Sequence, residues 1–142
     1  MKKVYNYENN ELKFVAVNGS VFNFKLHNGI TRVKGLSATG KTMLYDDLSI
    51  KKKLGEDASG LDLSNIYLYS EGDIFDFKDE KCLVIIDRGD LFLSEEICEK
   101  IVACDYARFL IFTRSKHNLY VPLQNIANLV IRDDIISLEY KH

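Results

Sequence analysis

Apolar and polar residues alternate in two runs near the start of the chain, at residues 12–17 and 21–26. A period of two is typical of a β-strand with one buried face. The turn signal Asn18-Gly19-Ser20 separates the two runs, and Asn-Gly favours the tight turn of a β-hairpin. The pattern therefore predicts an antiparallel hairpin, then a turn at Asn28-Gly29 and a third strand over residues 30–34.

Two later runs are continuously apolar, Leu83-Val84-Ile85-Ile86 and Phe109-Leu110-Ile111-Phe112. Such runs are typical of strands that are buried on both faces. Between them, residues 94–102 carry an N-cap serine, two acids in the first turn and apolar residues at helical spacing, which predicts a helix. Strands that alternate with helices predict an α/β fold whose sheet is largely parallel at its centre.

The remaining segments are predicted from turn residues and short apolar runs. We expect a helix from residue 43 that stops at Gly55, a loop over 55–64, and a short strand over 66–69. Residues 70–81 are acidic and polar around two phenylalanines, which predicts a loop with one helical turn. Residues 129–131 and 135–140 predict a final hairpin around Asp133-Asp134.

Composition predicts a single domain over residues 1–142 with a substantial core, since 46% of the residues are hydrophobic. The net charge of −2 gives no general attraction to nucleic acid, and no apolar run approaches the length of a membrane span. The amino terminus becomes polar too early for a signal peptide. The three cysteines match no metal motif and predict reduced thiols. We therefore expect a soluble, cytoplasmic protein.

The most specific pattern is Gly-x-x-x-x-Gly-Lys-Thr at residues 35–42, the phosphate-binding pattern named Walker A. Its glycines let successive backbone N–H groups face phosphate oxygens. Lys41 would reach the β- and γ-phosphates, and the Thr42 hydroxyl would bind Mg²⁺. The alternative is a glycine turn that binds nothing. The predicted nucleotide contacts are Gly35, Leu36, Ser37, Ala38, Thr39, Gly40, Lys41 and Thr42.

Asp87 directly follows the apolar run at residues 83–86, an arrangement similar to a Walker B strand. A carboxylate at the carboxyl end of a central parallel strand lies where such sheets bind ligands. We predict that Asp87 holds Mg²⁺ together with Thr42, and that Asp87 and Lys41 take part in catalysis. The alternative is an acid that merely ends the strand.

A third candidate group follows the strand at residues 109–112. Thr113 is predicted to sense the terminal phosphate, and Arg114 or His117 to bind charge that develops on it. The alternative is a solvated loop with two cations.

The order of these motifs resembles the additional-strand type of P-loop NTPase, and within it the head domain of ABC-type ATPases. The likeness is carried by residues 24–42, FKLHNGITRVKGLSATGKT, and by the terminal hairpin pattern at 127–138. The resemblance implies a three-layer P-loop NTPase-like α/β fold, with a mainly parallel central sheet and an N-terminal antiparallel β-hairpin. It also implies a nucleoside triphosphate with Mg²⁺ as cofactors. ATP is the default nucleotide, because no N-K-x-D sequence is present, which argues against a guanine-specific GTPase.

The chain also departs from the ABC pattern. It has neither the helical subdomain nor the L-S-G-G-Q signature, and Arg88 stands where the family has a catalytic glutamate. Asp90 is the predicted substitute that orients the attacking water, with Glu71 and Asp73 as alternatives.

These observations lead to three functional hypotheses. The first is an ATP-binding protein with weak or partner-dependent hydrolysis, which acts as a switch or an assembly subunit with a protein partner or a second copy. The second is a small-molecule kinase, suggested by the Asp87-Arg88 pair. The third is a scaffold that binds partners without turnover. Each implies a different outcome when the protein is given ATP.

Overall fold

Nine strands form one continuous mixed sheet in the computed structural model. The structure describes residues 2–34, 39–77, 80–114 and 121–140, and for residues 39–42 it describes the backbone alone. From one edge to the other these strands are β2 (Tyr5–Asn6), β3 (Glu11–Val15), β4 (Val21–Lys25), β11 (Ile135–Tyr140), β10 (Ile126–Arg132), β5 (Ile30–Lys34), β9 (Ala107–Thr113), β8 (Cys82–Ile86) and β7 (Ile66–Tyr69). Two short strands, β1 (Lys2–Lys3) and β6 (Leu61–Asp62), pair in parallel outside this sheet.

The direction of the strands changes across the sheet. Strands β10, β5, β9, β8 and β7 run parallel to one another. Strands β2, β3 and β4 are antiparallel neighbours, and β10 and β11 form an antiparallel hairpin. A parallel pairing of β4 with β11, in which Phe22 lies opposite Ile136, joins the two hairpins. The sheet is therefore one mixed surface.

The two ends of this sheet curl toward each other until they are nearly closed. The Val4 amide donates to the Asp62 carbonyl oxygen at 3.2 Å, and the Asn65 side-chain amide donates to the Tyr5 carbonyl oxygen at 2.9 Å. These bonds connect β2 and the residue before it with the segment that leads from β6 into β7. The β2 edge of the sheet thus lies close to the β7 edge, which makes the sheet barrel-like.

The predicted three-layer α/β fold, with a mainly parallel central sheet between helices, is wrong. The sheet is mixed and barrel-like, and more of the described chain lies in strands than in helices. The sequence could not reveal this because the fold depends on which strands pair at long range. The N-terminal hairpin of β3 and β4 is present, as is the terminal hairpin of β10 and β11.

Three α-helices accompany the strands in the described ranges: α1 (Thr39–Ser59), α2 (Gly89–Phe92) and α3 (Glu95–Ala103). Gly55 interrupts α1 with φ 84° and ψ 171°, at the residue where the helix was predicted to stop. Helical structure then continues to Ser59, where a loop was predicted. The α3 prediction is confirmed, and the Ser94 hydroxyl accepts a hydrogen bond from the Ile97 amide. No helix of the described ranges combines the length and apolar character needed to cross a bilayer.

Buried apolar side chains form two clusters. The first includes Leu44 and Leu48 of α1 and three phenylalanines of the N-terminal hairpin, Phe14, Phe22 and Phe24. The second includes Cys98 and Ile101 of α3, together with Phe77, Cys82 and Phe109. The segment around Phe75 and Phe77 is irregular, as predicted, and its described part contains no helical turn. Both clusters support the strands that end at the candidate site.

Candidate functional site

The carboxyl ends of parallel strands β5, β9, β8 and β7 meet at one edge of the sheet. Lys34, the last residue of β5, lies opposite Thr113, the last residue of β9. Ile86, which ends β8, lies opposite Ile111 of β9 and Tyr69 of β7. Ligands of open sheets with parallel strands commonly bind outside such carboxyl ends. The candidate site is this edge, named the carboxyl edge below.

The predicted phosphate-binding residues connect β5 to α1 at the carboxyl edge. Gly35, Leu36, Ser37 and Ala38 lie outside the described residues, whereas Thr39, Gly40, Lys41 and Thr42 belong to the first turn of α1. The strand and the helix that were predicted around this segment are both present. The nucleotide contacts themselves stay predictions.

Asp87 is half-buried one residue beyond β8, at the carboxyl edge as the sequence predicted. Burial raises the pKa of the Tyr45 hydroxyl on α1, and the nearby carboxylates of Asp73 and Asp87 raise it further. The Asp87 carboxylate is therefore near enough to Tyr45 to act on its charge. The Tyr45 hydroxyl also shares a hydrogen bond of 2.5 Å with the Ser70 hydroxyl, at the end of β7. Tyr45 therefore joins the start of α1 to the β7 and β8 ends of this edge.

Thr113 is buried, and its hydroxyl accepts a hydrogen bond of 2.8 Å from Nε of Arg32 on the neighbouring strand. This bond fixes the orientation of the hydroxyl at the tip of β9. Arg114 is exposed beside it, and His117 lies outside the described residues. The Arg32 contact was not predicted, because the alternating pattern of β5 shows a polar position but not its partner across the sheet.

Asp90, the predicted water-orienting acid, forms a two-point ion pair with Arg88. Nε of Arg88 is 3.1 Å from one Asp90 carboxylate oxygen, and Nη2 is 2.9 Å from the other. The Asp90 side chain has no exposed surface, whereas that of Arg88 is 30% exposed. The catalytic role of Asp90 stays a prediction, and its pairing with Arg88 was not predicted from the sequence.

The alternative acids and the aromatic residues near the N-terminus also have definite places. Asp73 accepts a hydrogen bond of 2.8 Å from the Ser70 amide, which stabilises the turn after β7, and Glu71 is exposed. Tyr5 and Phe14 are buried in the first core cluster. Tyr7 lies under the Arg108 guanidinium, 3.8 Å from Cζ to the ring centroid, near the amino end of β9. Tyr5 and Tyr7 both contact Arg108 near the amino end of β9, away from the carboxyl edge.

An open groove of about 370 Å³ runs beside the first turns of α1. Its walls are mostly apolar and come from the β3–β4 turn and from α1, with Val17, Met43 and Ile50 among them. Asp47 also lines the groove, but its carboxylate already accepts from the Val17 amide and from Lys51. The groove therefore gives an apolar surface next to the start of α1.

The described residues contain no group of three or more His, Cys, Asp or Glu side chains arranged to hold a metal ion. Comparisons with protein families, with curated proteins and with solved structures give no match to this chain. Together with the mixed, barrel-like sheet, this means that the resemblance to additional-strand P-loop NTPases and to ABC-type heads is wrong. Classification as a P-loop or Walker A NTPase is withdrawn with it, and no family is assigned.

Proposed function

We propose that the protein binds ATP with Mg²⁺ at the carboxyl edge and acts as a nucleotide-dependent switch or assembly subunit with weak or partner-dependent hydrolysis. One observation carries the proposal. Asp87 follows β8 and the segment 35–42 follows β5, and only β9 separates these two parallel strands. The segment that is predicted to bind phosphate and a carboxylate suited to a metal ion therefore follow strands that end at the same edge.

The chemistry of the segment supports a triphosphate as the ligand. The segment leads into the N-terminus of α1, whose backbone N–H groups and dipole favour anions. Lys41 would add a positive charge for the β- and γ-phosphates, and two glycines allow close approach of the backbone. A phosphate-rich ligand fits these groups better than a neutral one.

The donor groups at this edge fit Mg²⁺. A threonine hydroxyl and a carboxylate offer hard oxygen ligands, and Mg²⁺ commonly uses one or two protein groups together with phosphate oxygens and water. Thr42 and Asp87 would hold the ion, which would neutralise phosphate charge when bound.

The arginines of the chain argue against a kinase. Arg32 binds Thr113, Arg88 binds Asp90, and Arg108 contacts Tyr7. These contacts engage three of the five arginines, and the other two, Arg114 and Arg132, are 18 residues apart in the sequence, which does not suit an arginine-rich lid over the phosphates. Slow turnover instead fits a regulator that works with a protein partner or a second copy in the cytoplasm.

Equilibrium binding of labelled ATP, with and without Mg²⁺, tests the proposal. Wild type is expected to bind ATP and to favour the Mg²⁺ complex. Lys41→Ala should weaken binding by about 10–100-fold, because a hydrogen bond to a charged group contributes about 1.5–3 kcal/mol. Lys53→Ala removes the same charge from an exposed position of α1 and serves as the matched control.

Three outcomes would count against the proposal or refine it. Equal binding by wild type and Lys41→Ala would refute the site. Absence of binding by wild type would favour a scaffold without nucleotide. Product analysis with nucleosides present would reveal phosphoryl transfer, which would favour the kinase alternative.

A further inference from the structure

The turn that follows Asp87 has an unusual backbone. Arg88 has φ 53° and ψ 47°, in the left-handed region that residues with a side chain rarely adopt. Such conformations persist only where the surrounding structure holds them, and they are concentrated at functional sites. The left-handed conformation of Arg88 therefore has to be explained by the contacts around it.

Two side-chain features fix this turn in addition to its backbone hydrogen bonds, in which the Leu91 amide donates to the Arg88 carbonyl oxygen and the Leu93 amide to the Gly89 carbonyl oxygen. The first is the two-point ion pair between Arg88 and the fully buried carboxylate of Asp90. The second is the close packing of Gly89, where a Cβ atom would lie 2.8 Å from Cδ1 of Leu93 and 2.9 Å from Cγ2 of Ile111. Ile111 belongs to β9, two residues before Thr113. The turn is thus fixed both by charge and by contact with the neighbouring strand.

These contacts bear on the position of the Asp87 carboxylate. Asp87 is the residue between the end of β8 and the left-handed Arg88, so a change in the path of the turn would move its carboxylate. A simple strand end would not need a paired buried carboxylate and a left-handed arginine. Groups that orient a metal-binding side chain commonly act in this indirect way.

We propose that the Arg88–Asp90 pair is a positioning pair that orients the Asp87 carboxylate toward the Mg²⁺ of the bound nucleotide; this rests on the proposed function. Asp90 then acts through Arg88 and not as a proton acceptor, since its side chain has no exposed surface and its carboxylate is held by the guanidinium at both oxygens. The affinity for the nucleotide then depends on Mg²⁺. Hydrolysis stays slow without a partner, because Asp90 does not act as a base.

The test compares ATP affinity in EDTA with ATP affinity in Mg²⁺ for wild type, Arg88→Met, Asp90→Asn and Asp87→Asn. The ratio of the two affinities is the Mg²⁺ advantage. Arg88→Met and Asp90→Asn are expected to lose about 10–100-fold of it, the usual effect of removing an outer-shell partner of a metal ligand. Affinity in EDTA should stay close to that of wild type. A general loss of structure would lower both affinities together, so the ratio separates positioning from folding.

Further variants make the result specific. The double variant Arg88→Met/Asp90→Asn should lose no more than either single variant, because the two residues act as a unit. Arg88→Lys keeps the charge but not the two-point geometry and should recover part of the loss. Arg132→Met and Asp105→Asn, both at exposed positions, are the matched controls and should keep the full Mg²⁺ advantage.

Two results would overturn this inference while leaving the proposed function intact. One is an unchanged Mg²⁺ advantage in Arg88→Met and Asp90→Asn. The other is loss of hydrolysis in Asp90→Asn alone with an unchanged Mg²⁺ advantage, which would identify Asp90 as the base. If wild type binds no nucleotide, the proposed function fails and the inference fails with it.

Discussion

Replacing Phe109 with alanine is expected to lower the free energy of unfolding by about 3–5 kcal/mol, the usual cost of removing a fully buried aromatic ring. Phe109 is 1% exposed and lies in the middle of the parallel strands. Its ring stacks on Phe75 with the centroids 6.0 Å apart, and it meets Phe77 edge-on at 6.3 Å. Its loss would leave a cavity between the sheet and the segment that covers it.

Denaturant unfolding of the purified variant measures this effect. Val102→Ala is the matched control, because Val102 is 56% exposed and its truncation should change stability by no more than about 0.5 kcal/mol. A loss below about 1 kcal/mol for Phe109→Ala would contradict the packing, since mutations that create core cavities rarely cost so little. It would mean that the segment with Phe75 and Phe77 does not cover this face of the sheet.

Stability is also expected to fall steeply between pH 9 and pH 12, and Cys82 should account for a separable part of the loss. Burial raises the pKa of the Cys82 thiol to about 12 from its ordinary value of 9.0. The unfolded chain therefore releases this proton about three pH units before the folded chain does. The stabilisation is complete below pH 9 and is lost as the pH rises to 12. The difference amounts to something on the order of 4 kcal/mol.

Denaturant unfolding at several pH values from 7 to 11.5 isolates this contribution. Cys82→Ala should be less stable than wild type at neutral pH, because it loses a buried side chain, but it should lose less stability above pH 9. Val84→Ala, also fully buried on β8, creates a cavity without removing a proton and should keep the wild-type pH dependence. Parallel pH profiles for wild type and Cys82→Ala would show that the thiol is not the titrating group. Tyr140, whose pKa burial raises to about 12, titrates in the same window in all three proteins.

Local structure was largely predictable because its causes are local. The alternation at residues 12–26 with the Asn18-Gly19 turn gave the first hairpin, and the N-cap Ser94 with its following acids gave α3. The run before Asp87 gave a strand that is buried throughout. In each case the pattern of burial and the turn chemistry lie within a few residues of each other.

The overall architecture was not predictable because it depends on long-range pairing. Nothing in the sequence near Phe22 indicates that β4 pairs with β11, more than a hundred residues away. The same holds for Asn65, whose bond to Tyr5 helps to close the sheet. The three-layer prediction was wrong at these points, because it took the strand pairings from a family resemblance. The local sequence does not specify them.

The candidate site was predicted in the same uneven way. The location of Asp87 at the carboxyl edge follows from its position after an apolar strand. The contacts of Arg32 with Thr113 and of Arg88 with Asp90 were missed. The first depends on the register of two strands distant in sequence, and the second on a left-handed backbone at a residue that gives no signal for it.

A thermal melt with Mg²⁺-ATP tests the central claim, nucleotide binding at the carboxyl edge, most directly. Wild type, Lys41→Ala and Lys53→Ala would be melted alone, with Mg²⁺-ATP and with Mg²⁺-GTP. A ligand present at about a hundred times its Kd stabilises the folded state by about 2.7 kcal/mol. That corresponds to a rise in Tm of about 6–10 °C for a domain of this size. We expect this rise with ATP in wild type and Lys53→Ala and its loss in Lys41→Ala. An unchanged Tm in wild type, or an equal rise in Lys41→Ala, would contradict the claim.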